Sequence, residues 1–343
     1  MDIKAPTPSK LSWRMPAEWT LHASTWLSWP RPDGVSFPDR YNSVPPVLAR
    51  LVHLITDGET ANINIWGPDL ERSAKCALKA EGVPMEKVQF HPFPTYEPWC
   101  RDHGPQFVIR GTGERAIVNW GYNAWGEKYK PYDLDDAIPS QIATALGLPL
   151  LEPGMILEGG SIDVNGQGSV LTTKSCLLHP NRNPNLTKYD IESKLRTHLG
   201  IDQIVWLGDG IQGDDTDGHV DDIARFVAPN KVVAAVEPDK RDANHRPLRK
   251  NLALLDQTFE VVELPMPRCL VSNGQRLPAS YANFYICNAH VIVPTFRDKN
   301  DELALDILRD CFPSRPVIGL DSTDLIWGLG SFHCLTQQEP AVV

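Results

Sequence analysis

Apolar positions in this chain recur in two alternating patterns. The stretches SAKCALKAEG, SQIATALG, IESKLRTHLG and ELALDILRDCF carry apolar residues at helical spacing, and the short apolar runs VQFHPF, LPLLEPGMI, IVWL and VIGL follow them. Apolar recurrence every three to four positions marks an amphipathic helix, and a short apolar run bounded by turns suits a buried strand. Each run then leads into polar residues: Glu97 to Pro105, Glu158 to Ser161, Asp214 to Asp222, and Gly328 to Cys334. Four copies of one unit are predicted, in the order helix, turn, strand, polar cluster. Hairpins are predicted at SIDVNGQGSVLTT, about an Asn-Gly turn, and at HVDDIARFV-APN-KVVAAVE.

Like units that each end on chemistry suggest a pseudo-symmetric ring around one site, a propeller-like α/β fold, because a rigid scaffold aims polar groups from loops and strand ends. An α/β sandwich would show the same alternation. The 30 prolines and 24 glycines are scattered, which favours many short elements. No low-complexity or linker-like run divides residues 1–343, which read as a single domain.

Composition narrows the function classes. With 42% hydrophobic and 22% charged residues the chain reads as an ordinary globular protein. A formal net charge of -10 argues against a nucleic-acid partner and suits cationic ligands, which an acidic cleft concentrates. No apolar stretch approaches the ~20 residues of a membrane helix. The opening MDIKAPTPSKLSW lacks the apolar core of a secretory signal, so a cytoplasmic location is expected. Seven cysteines form no CxxC pair, so they are expected to be reduced and mostly buried.

Three motifs carry most of the candidate chemistry. In DDTDGHVDDIARFV, an extended backbone from position 219 would put His219, Asp221, Ile223 and Arg225 on one face, with Asp215 and Asp217 preceding at the same spacing. A base and a carboxylate would then stand side by side, although an Asp- and Gly-rich run also makes an ordinary solvated turn. Asp221, entering a buried strand, requires a charged ligand or an internal arginine. In EPWCRDHGPQFVIRG, Asp102 and Trp99 suit a planar guanidinium, held by carboxylates at its edge and an aromatic ring on its face. The alternative is an Asp102–arginine pair with Trp99 in the core. In GLGSFHCLTQQEPA, glycines allow close ligand approach to Cys334, and His333 or His219 could supply the base that makes a thiolate. The other six cysteines read as small buried hydrophobes. Glu158, in LEGGSIDV, would orient a histidine, bind substrate, or be a charged turn residue. The rival is a metal site formed from Asp215, Asp217, His219, Asp221 and Asp222, although no second cluster completes it and it leaves Cys334 unexplained.

In order along the chain, WCRDHGP, VNWGYNAWGEKY, LEGGSIDVNGQGSVLTT, NRNPNLTK, DGHVD, PASYANFYICN and HCLTQQ resemble the agmatine deiminases and bacterial-type peptidylarginine deiminases of the pentein, or guanidino-group-modifying, superfamily. The resemblance runs from RMPAEW to TQQEPA. It implies a five-bladed α/β propeller and hydrolysis of a small guanidino compound, agmatine first, without metal or other cofactor. By resemblance Cys334 is the nucleophile, His219 the general acid/base, and Asp102 and Asp221 the carboxylates gripping the guanidinium, with Trp99, Asp215 and Glu158 at the substrate. It also suggests a homo-oligomer. Free or peptidyl arginine as substrate, an amidinotransferase, and an inactive guanidine-binding protein are the alternatives. Several positions expected around the pocket depart from the family pattern: Gly328-Leu329-Gly330-Ser331-Phe332 stands for Gly-Gly-Gly-Asn-Ile, Asp215 for a glutamate, His103 for a threonine, and Glu97-Pro98 precede Trp99.

Overall fold

A computed structural model describes residues 12–111 and 113–342. The first eleven residues, on which most of the reading of the opening segment rested, lie outside the described residues. Among the described residues no helix is long and apolar enough to cross a membrane.

Among the described residues the chain is mixed α/β, and the strands form five small sheets and one two-stranded hairpin rather than a single sheet. One connection pattern recurs. A first strand pairs antiparallel with a second, and a helix then crosses over to a third strand parallel to the second. In one sheet Gln106–Arg110 pairs with Glu114–Val118, and helix Ile138–Leu146 leads to Leu150–Leu151. In the next, Ile162–Val164 pairs with Ser169–Thr173, and Lys188–Leu199 leads to Gln203–Leu207. Ala224–Ala228 and Lys231–Val236 are joined through His245–Leu255 to Glu260–Pro265. Tyr285–Ile286 and Val291–Thr295 are joined through Asp301–Cys311 to Val317–Asp321. The remaining sheet pairs Thr336–Pro340, from the far end of the chain, with His22–Ser28, then adds Thr60–Asn64 and Val88–His91 through helices Val44–Thr56 and Gly67–Ala80.

Local sequence explains these elements. Helix Lys188–Leu199 starts at a reciprocal Thr187/Asp190 capping box and ends at Gly200, whose φ of 67° only glycine adopts readily. It buries Ile191, Leu195 and Leu199, one stripe at fourfold spacing. The predicted Asn-Gly hairpin forms: the Asn165 side chain accepts from the amides of Gln167 and Ser169. The second predicted hairpin also forms. Two expectations change. Residues 220–222 form a 3-10 turn and the strand begins only at Ala224, so His219 and Asp221 do not share a strand face with Arg225. The predicted units also omitted helix His245–Leu255, whose start, His-Arg-Pro, breaks the apolar pattern.

The repeat has a consequence for chemistry. The first strand of each sheet is preceded by a short polar segment: Cys100–His103, Gly159–Ser161, Val220–Asp222, the turn holding Asn283, and Phe332–Leu335. The side chains of Asp102, His219, Asp221, Asn283 and Cys334, which these segments carry, are all buried.

Candidate active site

These segments bring Asp102, Glu158, His219, Asp221, Asn283 and Cys334 together. Cys334 is 6% exposed and lies in the turn Phe332–Leu335. Its Sγ is 3.7 Å from Asp221 Oδ2 and accepts a hydrogen bond from Asn283 Nδ2 at 3.1 Å. Asn283 is itself fixed. Its amide also donates to Asp222 Oδ1 at 3.0 Å, and its oxygen accepts from the main-chain N–H groups of His333 and Cys334 at 3.1 and 3.3 Å. Burial, with the negative charge of Asp221, Asp222 and Asp102, pushes the Cys334 thiol well above its ordinary range. An added cation would offset that charge and favour the thiolate.

Asp102 accepts from the Trp125 indole at 2.9 Å and from the Gly160 amide at 3.0 Å, and burial raises its carboxyl to about 6. Arg101, its neighbour, turns away to Glu18 and Gln338, so the Asp102–arginine pair does not form there. Asp221 was expected to need a ligand or an arginine. It meets His333 instead, whose Nδ1 is 2.7 Å from Asp221 Oδ2. Burial pushes Asp221 upward, but the hydrogen bond and charge of His333 hold it below the usual carboxylate range. The other nitrogen of His333 faces Glu18 at 2.9 Å, so this histidine is occupied as a bridge between two carboxylates.

His219 is 1% exposed, and its main-chain N–H donates to Asp214 and Thr216. Its ring is different: Nδ1 is 3.6 Å from Asp102 and Nε2 is 4.0 Å from Glu158, and neither nitrogen has a hydrogen-bond partner. Burial opposes its charged form, but Asp102, Cys176 and Asp221 outweigh that and hold the imidazole well above its ordinary range. Glu158 is fully buried rather than a turn residue on the surface, and Arg182 Nε holds one of its oxygens at 2.7 Å. Gly160 must be glycine, since a Cβ there would lie 2.6 Å from His219 Nδ1 and 2.8 Å from Asp102 Oδ1.

A cavity opens onto Cys334 and Asp102. Trp99, Trp125, Tyr129 and Trp327 supply its aromatic lining, and Glu97 and Asp215 two further carboxylates. Tyr129 donates to Asp215, while Ser36 and the Val35 amide donate to Glu97. Among the lining residues there is no lysine or arginine. Trp99 both lines the cavity and packs in the core, donating to Ser36 Oγ at 2.9 Å. Gly328 and Gly330 give way to this ring and to Phe37: a Cβ at 330 would lie 2.6 Å from Trp99. These glycines therefore admit a tryptophan to the backbone, where close approach of a ligand was expected. Of the departures named above, Glu97, Asp215 and Gly328 to Gly330 line the cavity, whereas His103 Nε2 donates to the Glu97 carbonyl at 3.2 Å.

The aspartate-rich metal set does not assemble. Asp217 pairs with Lys128 and Arg182, Asp222 with Asn283, Asp221 with His333, and Asp215 with Tyr129. Cys76 and Cys269 are exposed rather than buried, while Cys100, Cys176 and Cys287 are buried as expected and Cys311 partly so. Asn283, Trp125, Arg182 and Cys176 are site neighbours that the sequence reading missed.

Comparison with known proteins gives the family and the fold. The model of the Porphyromonas-type peptidyl-arginine deiminase family matches residues 14–340. The agmatine deiminase of Pseudomonas fluorescens is 34% identical, over 98% of this chain and 97% of that protein. The solved structure of agmatine deiminase from Enterococcus faecalis superimposes with a TM-score of 0.91 at 32% identity, covering 99% of each chain. An amidinotransferase from Microseira wollei, at 16% identity and a TM-score of 0.53, covers 96% of this chain and shares the fold alone. The chain belongs to the Porphyromonas-type peptidyl-arginine deiminase family.

Proposed function

We propose that this protein hydrolyses agmatine to N-carbamoylputrescine and ammonia through a covalent intermediate on Cys334. The observation that carries the reading is the Cys334 sulfur beside Asp221, in a cavity of carboxylates and aromatic rings with no lysine or arginine among its lining residues. A guanidinium is planar, cationic and rich in donors, so it complements Asp102 and Asp221 at its edge and aromatic faces beside it. The amino end of agmatine suits Glu97 and Asp215, while the carboxylate of free arginine would meet no lining cation. The names of the full-length relatives support the same substrate.

The substrate cation offsets the negative charge that holds the thiol protonated, so on binding the thiol releases its proton to solvent, and the Cys334 thiolate adds to the guanidinium carbon. His219, set between Asp102 and Glu158, delivers a proton to the departing ammonia, leaving an S-alkylthiouronium on Cys334. The same histidine takes a proton from water as it attacks that carbon, and collapse expels the thiolate with the ureido product. Asn283 holds the sulfur in line throughout. The five recurrent sheets support a five-bladed propeller, with the polar segments before their first strands turned toward its centre.

The test is to incubate the enzyme with agmatine, arginine, an arginine peptide and other guanidines, with and without chelator, and to follow ammonia and ureido product. Agmatine turnover undiminished by chelator is expected. No turnover of any guanidine, or loss of activity on chelation, would overturn the proposal.

A further inference from the structure

We propose that Glu158, Cys176 and His219 form a buried site for a thiophilic divalent cation such as zinc, and that its occupation inhibits the enzyme. Among the described residues these three are the group of potential ligands whose donor atoms all lie within 4.8 Å of one another, and all three are buried. Two of those donors, His219 Nε2 and Glu158 Oε2, have no hydrogen-bond partner. They stand 4.0 Å apart, too far for a hydrogen bond. Two donors on one tetrahedral zinc, each at about 2.0–2.2 Å, stand roughly 3.4 Å apart, so a small rotation of either side chain closes the pair onto an ion.

The surroundings of these ligands are those of a metal site. A metal-bound histidine commonly turns its second nitrogen to a carboxylate, and bound carboxylates are themselves hydrogen-bonded. His219 Nδ1 faces Asp102 Oδ1 at 3.6 Å. Arg182 holds the other oxygen of Glu158 at 2.7 Å, leaving Oε2 free. The Cys176 amide is tied to Thr173 Oγ1 at 3.2 Å, which anchors the short helix Lys174–Leu177 that carries the thiol. Cation binding displaces the thiol proton of Cys176 and any proton on His219 Nε2, so two anionic ligands and one neutral ligand hold a doubly charged ion. Three protein donors leave a fourth position for water. An imidazole whose Nε2 is ligated cannot move a proton there. The inhibition therefore rests on the acid/base role proposed above for His219, whereas the binding does not.

The experiment is a zinc titration of the chelator-treated full chain against a chromophoric chelator, repeated with cobalt to record thiolate-to-metal absorption, for wild type, Cys334→Ser and Cys176→Ser. Wild type and Cys334→Ser are expected to take up one ion and to show the thiolate band. Cys176→Ser should bind about 100-fold or more weakly, since changing even an outer partner of a metal site costs about 10–100-fold, and should lack the band. Retention of affinity by Cys176→Ser, loss of it in Cys334→Ser, or no uptake by wild type would each overturn the site. If Cys176→Ser does not fold, Glu158→Gln replaces it: affinity falls about 10-fold or more with the thiolate band retained, and unchanged affinity is contrary. Because uptake is read directly, absence of agmatine turnover leaves this result unaffected, and failure to bind zinc leaves the proposed reaction standing.

Discussion

Two clusters of buried charge meet at His333, and they differ in how completely they are satisfied. On one side Glu18 receives Arg101 at 3.1 Å, the Ile286 amide at 2.8 Å and His333 at 2.9 Å, and Arg225 Nη2, the one atom there without a hydrogen bond, still lies in an ion pair with Glu18 at 2.9 Å. Those contacts hold its carboxyl well below the usual range although burial pushes the other way. On the other side lie Asp221, Asp102, His219 and Glu158, where Asp221 Oδ1, Glu158 Oε2 and both ring nitrogens of His219 lack partners. Each buried group left without a partner costs about 1–3 kcal/mol, so a fold keeps several together only where something else is to satisfy them. The closed cluster joins the sheet of Tyr285–Ile286 to the segments of Glu18 and Arg101. The open one lies at the candidate site.

Four substitutions can break or sharpen that contrast. On the open side, Cys334→Ser should lower kcat for agmatine by about 10⁴-fold or more, the scale of removing a covalent nucleophile, while leaving the unfolding midpoint near that of wild type. A fall in stability with activity retained would invert the assignment. On the closed side, Glu18→Ala strands Arg101, Arg225 and His333 and should cost about 3–5 kcal/mol, read by chemical denaturation. A midpoint unchanged from wild type would show that this cluster is not structural. Asn283→Ala tests the seam between them. It removes a hydrogen bond to a thiolate, worth about 1.5–3 kcal/mol, so kcat should drop roughly 10–100-fold. The donor favours the ionised sulfur, so its loss should also move alkylation of Cys334 to higher pH, whereas a purely structural role would leave that profile in place. Smallest is Glu97→Gln, which should raise KM for agmatine by about tenfold, a little over 1 kcal/mol, and leave a guanidine without an amino tail nearly unaffected. Equal effects on both substrates would remove Glu97 from tail recognition.

The sequence made much of the open cluster visible because its members stand in motifs that break the apolar pattern at the end of a unit. Asp102, Glu158, His219 and Cys334 each follow a recognisable helix and strand. Asn283 was hidden for two reasons. The helix of its unit, His245–Leu255, begins irregularly, and Asn283 sits in the largely apolar run YANFYICN as one polar residue. Recognising a fifth unit would have pointed to it, since a polar side chain inside such a run must find a partner. The closed cluster was not legible at all, because Glu18 meets His333 across 315 positions and Arg101 meets Gln338 across 237. The alternation predicted for His219 and Asp221 failed because the 3-10 turn at 220–222 delays the strand. That turn is what separates them, aiming Asp221 at Cys334 and His219 at Asp102.

The most direct test is acid quenching of the enzyme during agmatine turnover, followed by mass analysis of its peptides. A transient adduct of the amidino carbon is expected on the peptide carrying Cys334, forming and decaying in step with ammonia release and absent from Cys334→Ser. An adduct on another residue, or undiminished turnover by Cys334→Ser, would contradict the account.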